Sequence, residues 1–462
     1  MKKTSFSLLL LAVFMCGCAC TEKTFKAGCA EKELEVPLFS ELYGYGHFVG
    51  RRNLKVVEPL YCRGYSFNDG SKRALIIYSD VCSVSKKFIV EMRHKLADKF
   101  DLDPQYITFV STHTHSAPAV GYKKYGVASS GVPDPEFQKI WKDAVMEVAA
   151  KALKDEETIA CVEAGRAPVI EKFSRNRVER QKNFTDPDIR WAKFIRPDGS
   201  CKILLHSSGA HPIAMNGAGF KLASSDWPGA VNRSIKEAKL ADMPFFMLGP
   251  CGDTNAWPTN LDLPKPGLTN APDVIAQKYM KSLNAGLAKG GEKLTSLDLK
   301  SKLVPVEVPQ IKMNAAELRV TAEKLRKRGE YEAERANRLD EMAILVDKGV
   351  DLTLKLDFQV LRIGELSFLF IPGEYYIENA VDMMSKSISK YPFAVTLAND
   401  DGCYMPSEKI MKKYPSVDSP RKDLFGFYDI YCHPNLFQFR YGDNIADFVA
   451  QTLLGIEKEI SK

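Results

Sequence analysis

In the stretch "ITFVSTHTHSAP" two histidines stand one residue apart, just where an apolar run of strand character ends. The chain has only seven histidines, so His113 and His115 concentrate a scarce residue type in one place. In a strand, positions i and i+2 share a face, which would project both imidazoles together beyond Ser111. Such a pair suits a zinc site with an open coordination position, and a hydrogen-bonded structural pair is the competing reading. Other candidates also follow apolar runs. His211 comes after "KILLHSSG" at a Gly-Ala turn, whereas His206, inside that run, reads as packed. Glu374 follows "FLFIPG", where the plain alternative is a carboxylate capping a helix N-terminus. Asp400, Asp401 and Tyr404 lie in "LANDDGCYMPSEK", and Asp253, Thr254 and Asn255 in "FFMLGPCGDTNAW", both of which also carry ordinary turn residues.

Strand ends feeding loops are where α/β folds place their sites, so these candidates require strands behind them. "RALIIYSDVCSV" (73 to 84) and "ITFVS" (107 to 111) read as buried strands, with the helical pattern "SKKFIVEMRHKLADKFD" between them. That spacing predicts a parallel crossover. Residues 135 to 155 form an amphipathic helix, followed by strand-like "IACVEAGRAPV", "RWAKFIRP" and "KILLHSSG", the helix "GAVNRSIKEAK" and the strand "PFFMLGPCGD". A charged helical stretch over 312 to 347, broken at Gly329, precedes two strands within 356 to 374 joined at "IGE". The expected fold is α/β, with mixed β-sheets flanked by helices and a zinc site at strand ends. One domain over 36–462 is the economical reading, and two closely packed halves are the alternative.

The N-terminus has the layout of a secretory leader: Lys2 and Lys3, then "FSLLLLAVFM", then "CGCAC". "MCGC" resembles a bacterial lipoprotein cleavage box. Residues 1–17 are thus expected to be a signal peptide, Cys18 the lipid-carrying residue, with Cys16 and Cys20 as competing positions, and 18–35 a polar tether. The chain would then be exported and lipid-anchored to the cell envelope. Removing Lys2 and Lys3 lowers the formal charge from +6 to +4, too little to argue for nucleic acid. The eleven cysteines show no CxxC spacing beyond the leader, which disfavours a cysteine-bound zinc, while an oxidising compartment would allow one or two disulfides that sequence cannot pair. No G-x-S-x-G stretch occurs, which disfavours a metal-free serine esterase.

In order and wording across most of residues 40 to 410, the candidate stretches resemble the neutral ceramidase family of zinc amidohydrolases. "STHTHSAP" is similar to that family's "THTHSGP" and is the most specific match. "AHPIAM" with "ASSDWPGAV" resembles its "HxTSM…SxDNKG" stretch, and "SRNRVE" its "NRSP". "GPCGDTNAW" looks like "NCGDVSPN", "FIPGE" like "VPGE", and "LANDDGCYMPSEK" like "NAYAGYVTTPEE". The resemblance implies zinc ligands at His113, His211, Glu374 and Tyr404, with His115 and Arg177 contacting the substrate carbonyl or oxyanion. Two departures accompany it. Asn255 stands where the family has its serine nucleophile, and an amide side chain cannot take that role. The family's C-terminal immunoglobulin-like domain has no counterpart after the Tyr404 motif.

These readings lead to a zinc (Zn2+) hydrolase that cleaves an amide, N-acyl-sphingosine-like bond with a zinc-activated water. Asp253 or His115 would act as general base, and Arg177 with Asn255 would stabilise the oxyanion. The rivals are a hydrolase of carbohydrate, ester or peptide on the same scaffold and a non-catalytic binding lipoprotein. The partners expected are a small-molecule or lipid substrate and, through the anchor, a membrane.

Overall fold

The computed structural model describes residues 24–45, 51–118, 120–121, 134–216, 220–263, 270–416, 419, 430 and 439–462. The leader, Cys18 and Cys432 lie outside the described residues. Within them, Arg73–Ser79 and Ile107–Ser111 are parallel neighbours, Leu75 opposite Ile107 and Ser79 opposite Ser111. The helix Lys86–Phe100 joins them, giving the expected crossover. The first strand is shorter than its apolar run. It ends at Ser79 because buried Asp80 turns inward to accept hydrogen bonds from Tyr61 N and Arg63 Nη1.

These strands belong to a five-stranded sheet ordered Ile107–Ser111, Arg73–Ser79, Leu60–Asn68, Lys26–Leu34, Glu157–Thr158. Side chains alternate as the pleat demands. Leu75 and Ile77 pack among Leu96, Val145 and Val148 of the helices Lys86–Phe100 and Pro135–Lys154. Ile76 and Tyr78 point the other way, into a core shared with a second five-stranded sheet, Met243–Leu248, Cys201–Ser208, Asp188–Ile195, Cys161–Pro168, Glu292–Leu294. Tyr65 of the first sheet stacks on Phe245 of the second, ring centroids 3.7 Å apart. The helices Asp226–Glu237 and Ala271–Lys289 contribute Trp227, Val231, Ile275 and Tyr279 to that core. The layers therefore run helix, sheet, sheet, helix. A third sheet, Leu299–Glu307, Lys355–Ile363, Leu366–Phe370, Tyr391–Val395, packs with the C-terminal helix Ile445–Ile460 around a separate core. The expected break at Gly329 separates the helices Ala315–Arg326 and Glu330–Asp347, and this glycine has φ +112°. The α/β reading with mixed sheets flanked by helices is correct.

One boundary needs correction. Lys26–Leu34, expected to be part of the 18–35 tether, pairs along its whole length with Leu60–Asn68. Its sequence, "KAGCAEKEL", lacks the β-branched and aromatic residues that usually mark strands. Small residues are needed there instead, because a Cβ on Gly28 would collide with the Ala152 carbonyl of the covering helix. Among the described residues no disulfide forms. Cys29, Cys62, Cys82, Cys161, Cys201, Cys251 and Cys403 all carry free thiols. Among the described residues no helix is long and apolar enough to cross a membrane.

His206 is packed, as its place inside a strand implies. Its Nδ1 lies 3.1 Å from Tyr279 Oη and its Nε2 3.0 Å from Asn232 Oδ1. Burial drives its pKa down to about 4 from 6.5. The native imidazole stays neutral while the unfolded one binds a proton, so stability drops as pH falls from about 6.5 to about 4. Denaturant unfolding of wild type and His206→Gln at pH 7.5 and 4.5 isolates this effect. The cost of the substitution should shrink by about 2–3 kcal/mol at the lower pH, and an unchanged cost would contradict the assignment.

Candidate metal centre

The strand Ile107–Ser111 ends before the two histidines, and the backbone leaves the extended region at once: His113 has φ +64°. The pleat argument for His113 and His115 therefore does not apply. Their rings nonetheless converge, centroids 4.8 Å apart and edge to face, because a left-handed residue swings the chain back over the strand end. His113 N donates to Val81 O at 2.9 Å, and His115 N to Pro212 O at 3.2 Å. This second bond ties the pair to the loop that carries His211.

His211 sits just beyond the strand Cys201–Ser208, its backbone bridged to Asn255. Asp226 holds the loop that follows, its carboxylate accepting from Ala214 N, Met215 N and Trp227 N at 3.0, 3.0 and 2.7 Å. Glu374 begins a short parallel ladder in which it is paired with Tyr404. It is not a helix cap. The helix Ile377–Ser385 donates its first N–H to Asp253, whose Oδ1 accepts from Ile377 N at 2.9 Å. Glu374 is thereby left to face the histidines.

Four segments distant in sequence now meet. Glu374 Oε2 is 2.7 Å from His211 Nε2 and 3.3 Å from His113 Nε2. His115 Nε2 is 3.3 Å from His113 Nε2, and Tyr404 Oη is 3.4 Å from His211 Nε2. All five side chains are buried. The opposite ring nitrogens face carbonyls: His113 Nδ1 is 2.8 Å from Cys82 O and His211 Nδ1 3.1 Å from Thr254 O. A carbonyl can only accept, so each Nδ1 carries a proton, and each ring, when neutral, turns its Nε2 lone pair toward Glu374. Burial raises the Glu374 pKa, but the charge of protonated His113 and hydrogen bonds from His113 and His211 more than offset it and hold the carboxyl well below its ordinary range; burial lowers the His113 pKa in turn, but Cys82 and Glu374 outweigh it and hold that imidazole well above its ordinary value. Burial, reinforced by the neighbouring His113 and His211, pushes His115 well below its ordinary value and keeps it neutral.

His113, His211 and Glu374 could thus hold a metal ion through two nitrogens and one oxygen. That donor set suits zinc, and a cation bound among these buried groups would take the place of the protons they share. Cys82, His113 and His115 also lie close enough to hold an ion, but Cys82 Sγ approaches His113 on its Nδ1 side, at 3.5 Å, where the carbonyl bond is made. The His-His-Glu group is the better-prepared one.

The remaining candidates surround it. Arg177 donates Nε and Nη2 to Gly252 O and lies 4.7 Å over the Tyr404 ring. Asp253, expected as a candidate base, has Oδ2 engaged by Asn176 Nδ2 at 2.8 Å and Oδ1 by Ile377 N, so it braces the neighbouring segments. Asn255 lies half-buried in Thr254–Ala256, paired with Ser174–Asn176. Asp401 accepts from Cys403 N at 3.0 Å, shaping the turn that leads to Tyr404. Sequence reasoning missed Cys82, the Thr254 carbonyl, Asp226 and the packing of Gly44, Tyr45 and Arg51 around His115. Only Asp226 left a local signal, an acidic residue opening a helix at "SSDWPG".

No protein-family model matches the chain. Two solved structures share its fold. One is a neutral ceramidase from Pseudomonas aeruginosa, with a TM-score of 0.70 and 14% identity over 94% of this chain and 74% of that one. The other, a ceramidase complexed with C2, gives a TM-score of 0.68 and 14% identity over 94% and 75% of the respective chains. At this identity the likeness establishes the fold.

His115 is held in a tight surround. The Tyr45 ring meets it edge-on at 4.8 Å, and Arg51, stacked between Tyr45 and Phe220, binds its carbonyl. Gly44 has φ +121°, and a Cβ there would come within 2.5 Å of His115 Cγ. Gly44→Ala should therefore displace the ring and cost roughly 1–3 kcal/mol of stability from backbone strain and overpacking. Chemical denaturation measures this, and a variant as stable as wild type would show that the ring is not confined by this backbone.

Proposed function

We propose that the chain is a zinc-dependent hydrolase that cleaves the amide bond of an N-acyl amphiphile, with N-acyl sphingosine as the reference substrate. The observation that carries this reading is the convergence of His113 Nε2, His211 Nε2 and Glu374 Oε2, with both Nδ1 atoms turned to backbone carbonyls. The shared fold with neutral ceramidases supports it. His113, His211 and Glu374 would hold the ion, with Tyr404 as fourth ligand. Zinc bound there supplies a Lewis acid for the substrate carbonyl and lowers the pKa of its water to about 7.

The chain's own groups do the rest. Hydrolysis adds the water oxygen to the carbonyl carbon and delivers a proton to the departing nitrogen. His115, in contact with His113 and with its buried Nδ1 hydrogen-bonded to no carbonyl among the described residues, is the imidazole available to move that proton. Arg177, fixed by Gly252 O over the Tyr404 ring, supplies positive charge beside the reacting carbonyl. Asn255 contributes an amide at the rim and no nucleophile, which is why water takes the place of a serine hydroxyl in this reading. Asp253 positions Asn176 and the helix after Glu374. A binding protein without turnover is the second reading, favoured by the same Asn255.

Two substitutions separate the roles. His211→Ala should lower zinc from about one ion per chain to near none, measured by elemental analysis, and stoichiometric zinc in that variant would refute the ligand set. His115→Ala should keep its zinc and lose amide turnover by ~10²-fold or more. Zinc retained with no turnover even in wild type would favour the binding protein. The leader sequence supports export and lipid attachment at Cys18, which would keep the enzyme at the cell envelope and near a membrane. An alkynyl fatty acid fed to expressing cells should label wild type and not Cys18→Ala; equal labelling would exclude this anchor.

A further inference from the structure

Beside His115 the segments 37–42, 51–57 and 221–223 join in a short ladder. Phe39 N donates to Asn53 O at 2.7 Å and Asn53 N to Ser40 O at 2.8 Å, while Leu54 N and Val57 N donate to Lys221 O and Ala223 O, both at 3.0 Å. Its buried side chains reach the metal centre, since Arg51 donates to the carbonyl of His115. Its outer side chains stand in solvent: Leu38 is 61% exposed, Phe39 63% and Leu54 55%. Single exposed apolar residues are ordinary, but three adjacent ones on one ladder mark an interaction surface. Phe39 also has φ +64°, a conformation that bulky side chains rarely adopt. Neither hydration nor backbone preference favours a phenylalanine there, which points to a partner outside the chain.

Two lysines accompany the apolar residues. Lys55 follows Leu54 in the chain, Lys221 meets it across the ladder, and both are exposed. Of the acids in the same stretch, Glu35 is exposed, Glu41 is bonded to Arg52 and Glu58 to Arg233. Lysine is depleted in the cores of protein interfaces. Apolar side chains with lysines alongside are instead the composition that holds a protein to an anionic bilayer, the former entering the acyl boundary and the latter staying among the headgroups.

We infer that this ladder docks on the surface of a bilayer containing anionic lipid, through Leu38, Phe39 and Leu54 with Lys55 and Lys221. Binding needs no turnover, so the inference stands apart from the amide-hydrolase reading, to which it adds that substrate is met at a lipid surface. Sedimentation with vesicles tests it, on the mature chain from residue 18 carrying Cys18→Ala, so that no attached lipid contributes. Vesicles of phosphatidylcholine with phosphatidylglycerol should bind at least about fivefold more tightly than phosphatidylcholine alone, and Lys55→Gln with Lys221→Gln should abolish that preference. Phe39→Asn and Leu54→Gln should each weaken binding about tenfold. Asparagine suits the left-handed backbone, so thermal melting of Phe39→Asn should show no loss of stability. Absence of wild-type binding to either vesicle, or undiminished binding by both variants, would overturn the inference. So would a dimer in sedimentation velocity that Phe39→Asn dissolves without any vesicle binding, since the face would then belong to a second copy. Turnover completes the test: Phe39→Asn should slow hydrolysis of N-dodecanoyl sphingosine held in anionic vesicles at least about fivefold and leave a short-chain, water-soluble N-acyl substrate unaffected. Equal loss on both substrates would show that Phe39 acts through the fold around His115 and would overturn the docking role. Vesicle binding that Phe39→Asn weakens, with neither substrate cleaved by wild type, would uphold the docking surface and count against the hydrolase reading alone.

Discussion

Two backbone carbonyls, those of Cys82 and Thr254, set the chemistry of the centre. Each fixes an imidazole by accepting from Nδ1, which leaves the Nε2 lone pairs of His113 and His211 directed at Glu374. Without that constraint either ring could rotate or exchange tautomers, and the same residues would form a neutral hydrogen-bonded cluster. With it, two nitrogens and a carboxylate oxygen converge within hydrogen-bond distance, and a metal cation could take the place of the protons they share. The surrounding fold can be understood as the means of holding these two carbonyls in place.

Those means are the junctions between sheets. Thr254 belongs to a short ladder with Ser174–Asn176, and Cys82 to the turn after Arg73–Ser79. The loop between Val395 and Tyr404 closes the third side. Asn399 secures it by accepting from Arg93 Nη2 and Phe109 N and donating to Gln359 Oε1, so one buried amide binds the first sheet to the third. Strain gathers at the same junction: His113, Asp226, Leu397, Asn399 and Cys403 all have positive φ without being glycine. Residues held in this way persist only where the packing around them over-determines the backbone, which is the usual condition of a functional site.

The division of labour among carboxylates follows from the same junction. Asp253 satisfies the N-terminus of the helix Ile377–Ser385, so Glu374, three residues before that helix, does not have to. Asp226 satisfies three amides of the turn after His211 and of its own helix. Of Asp226, Asp253 and Glu374, only Glu374 is hydrogen-bonded to imidazoles. Substituting a bracing acid would therefore disturb the centre through geometry, while substituting Glu374 removes a donor atom.

Much of this was legible in the residues alone. The apolar runs marked the strands, the crossover Arg73–Ser79 to Ile107–Ser111 followed from its spacing, and the scarce histidines and Glu374 stood where strands end. The strand Lys26–Leu34 was not legible, because close packing against the helix Pro135–Lys154 selects small residues that hide strand propensity. The role of Asp253 was not legible either, since a carboxylate before a turn looks alike whether it caps a remote helix or faces a substrate. The sequence determined which side chains could bear the chemistry and which segments would be strands, because residue type and periodicity are local properties. Only the tertiary structure decided which four segments meet, which nitrogen of each histidine is turned inward and which acid is left uncapped. Those outcomes depend on carbonyls and amides that every residue possesses, and such groups acquire identity only through the contacts that the fold makes.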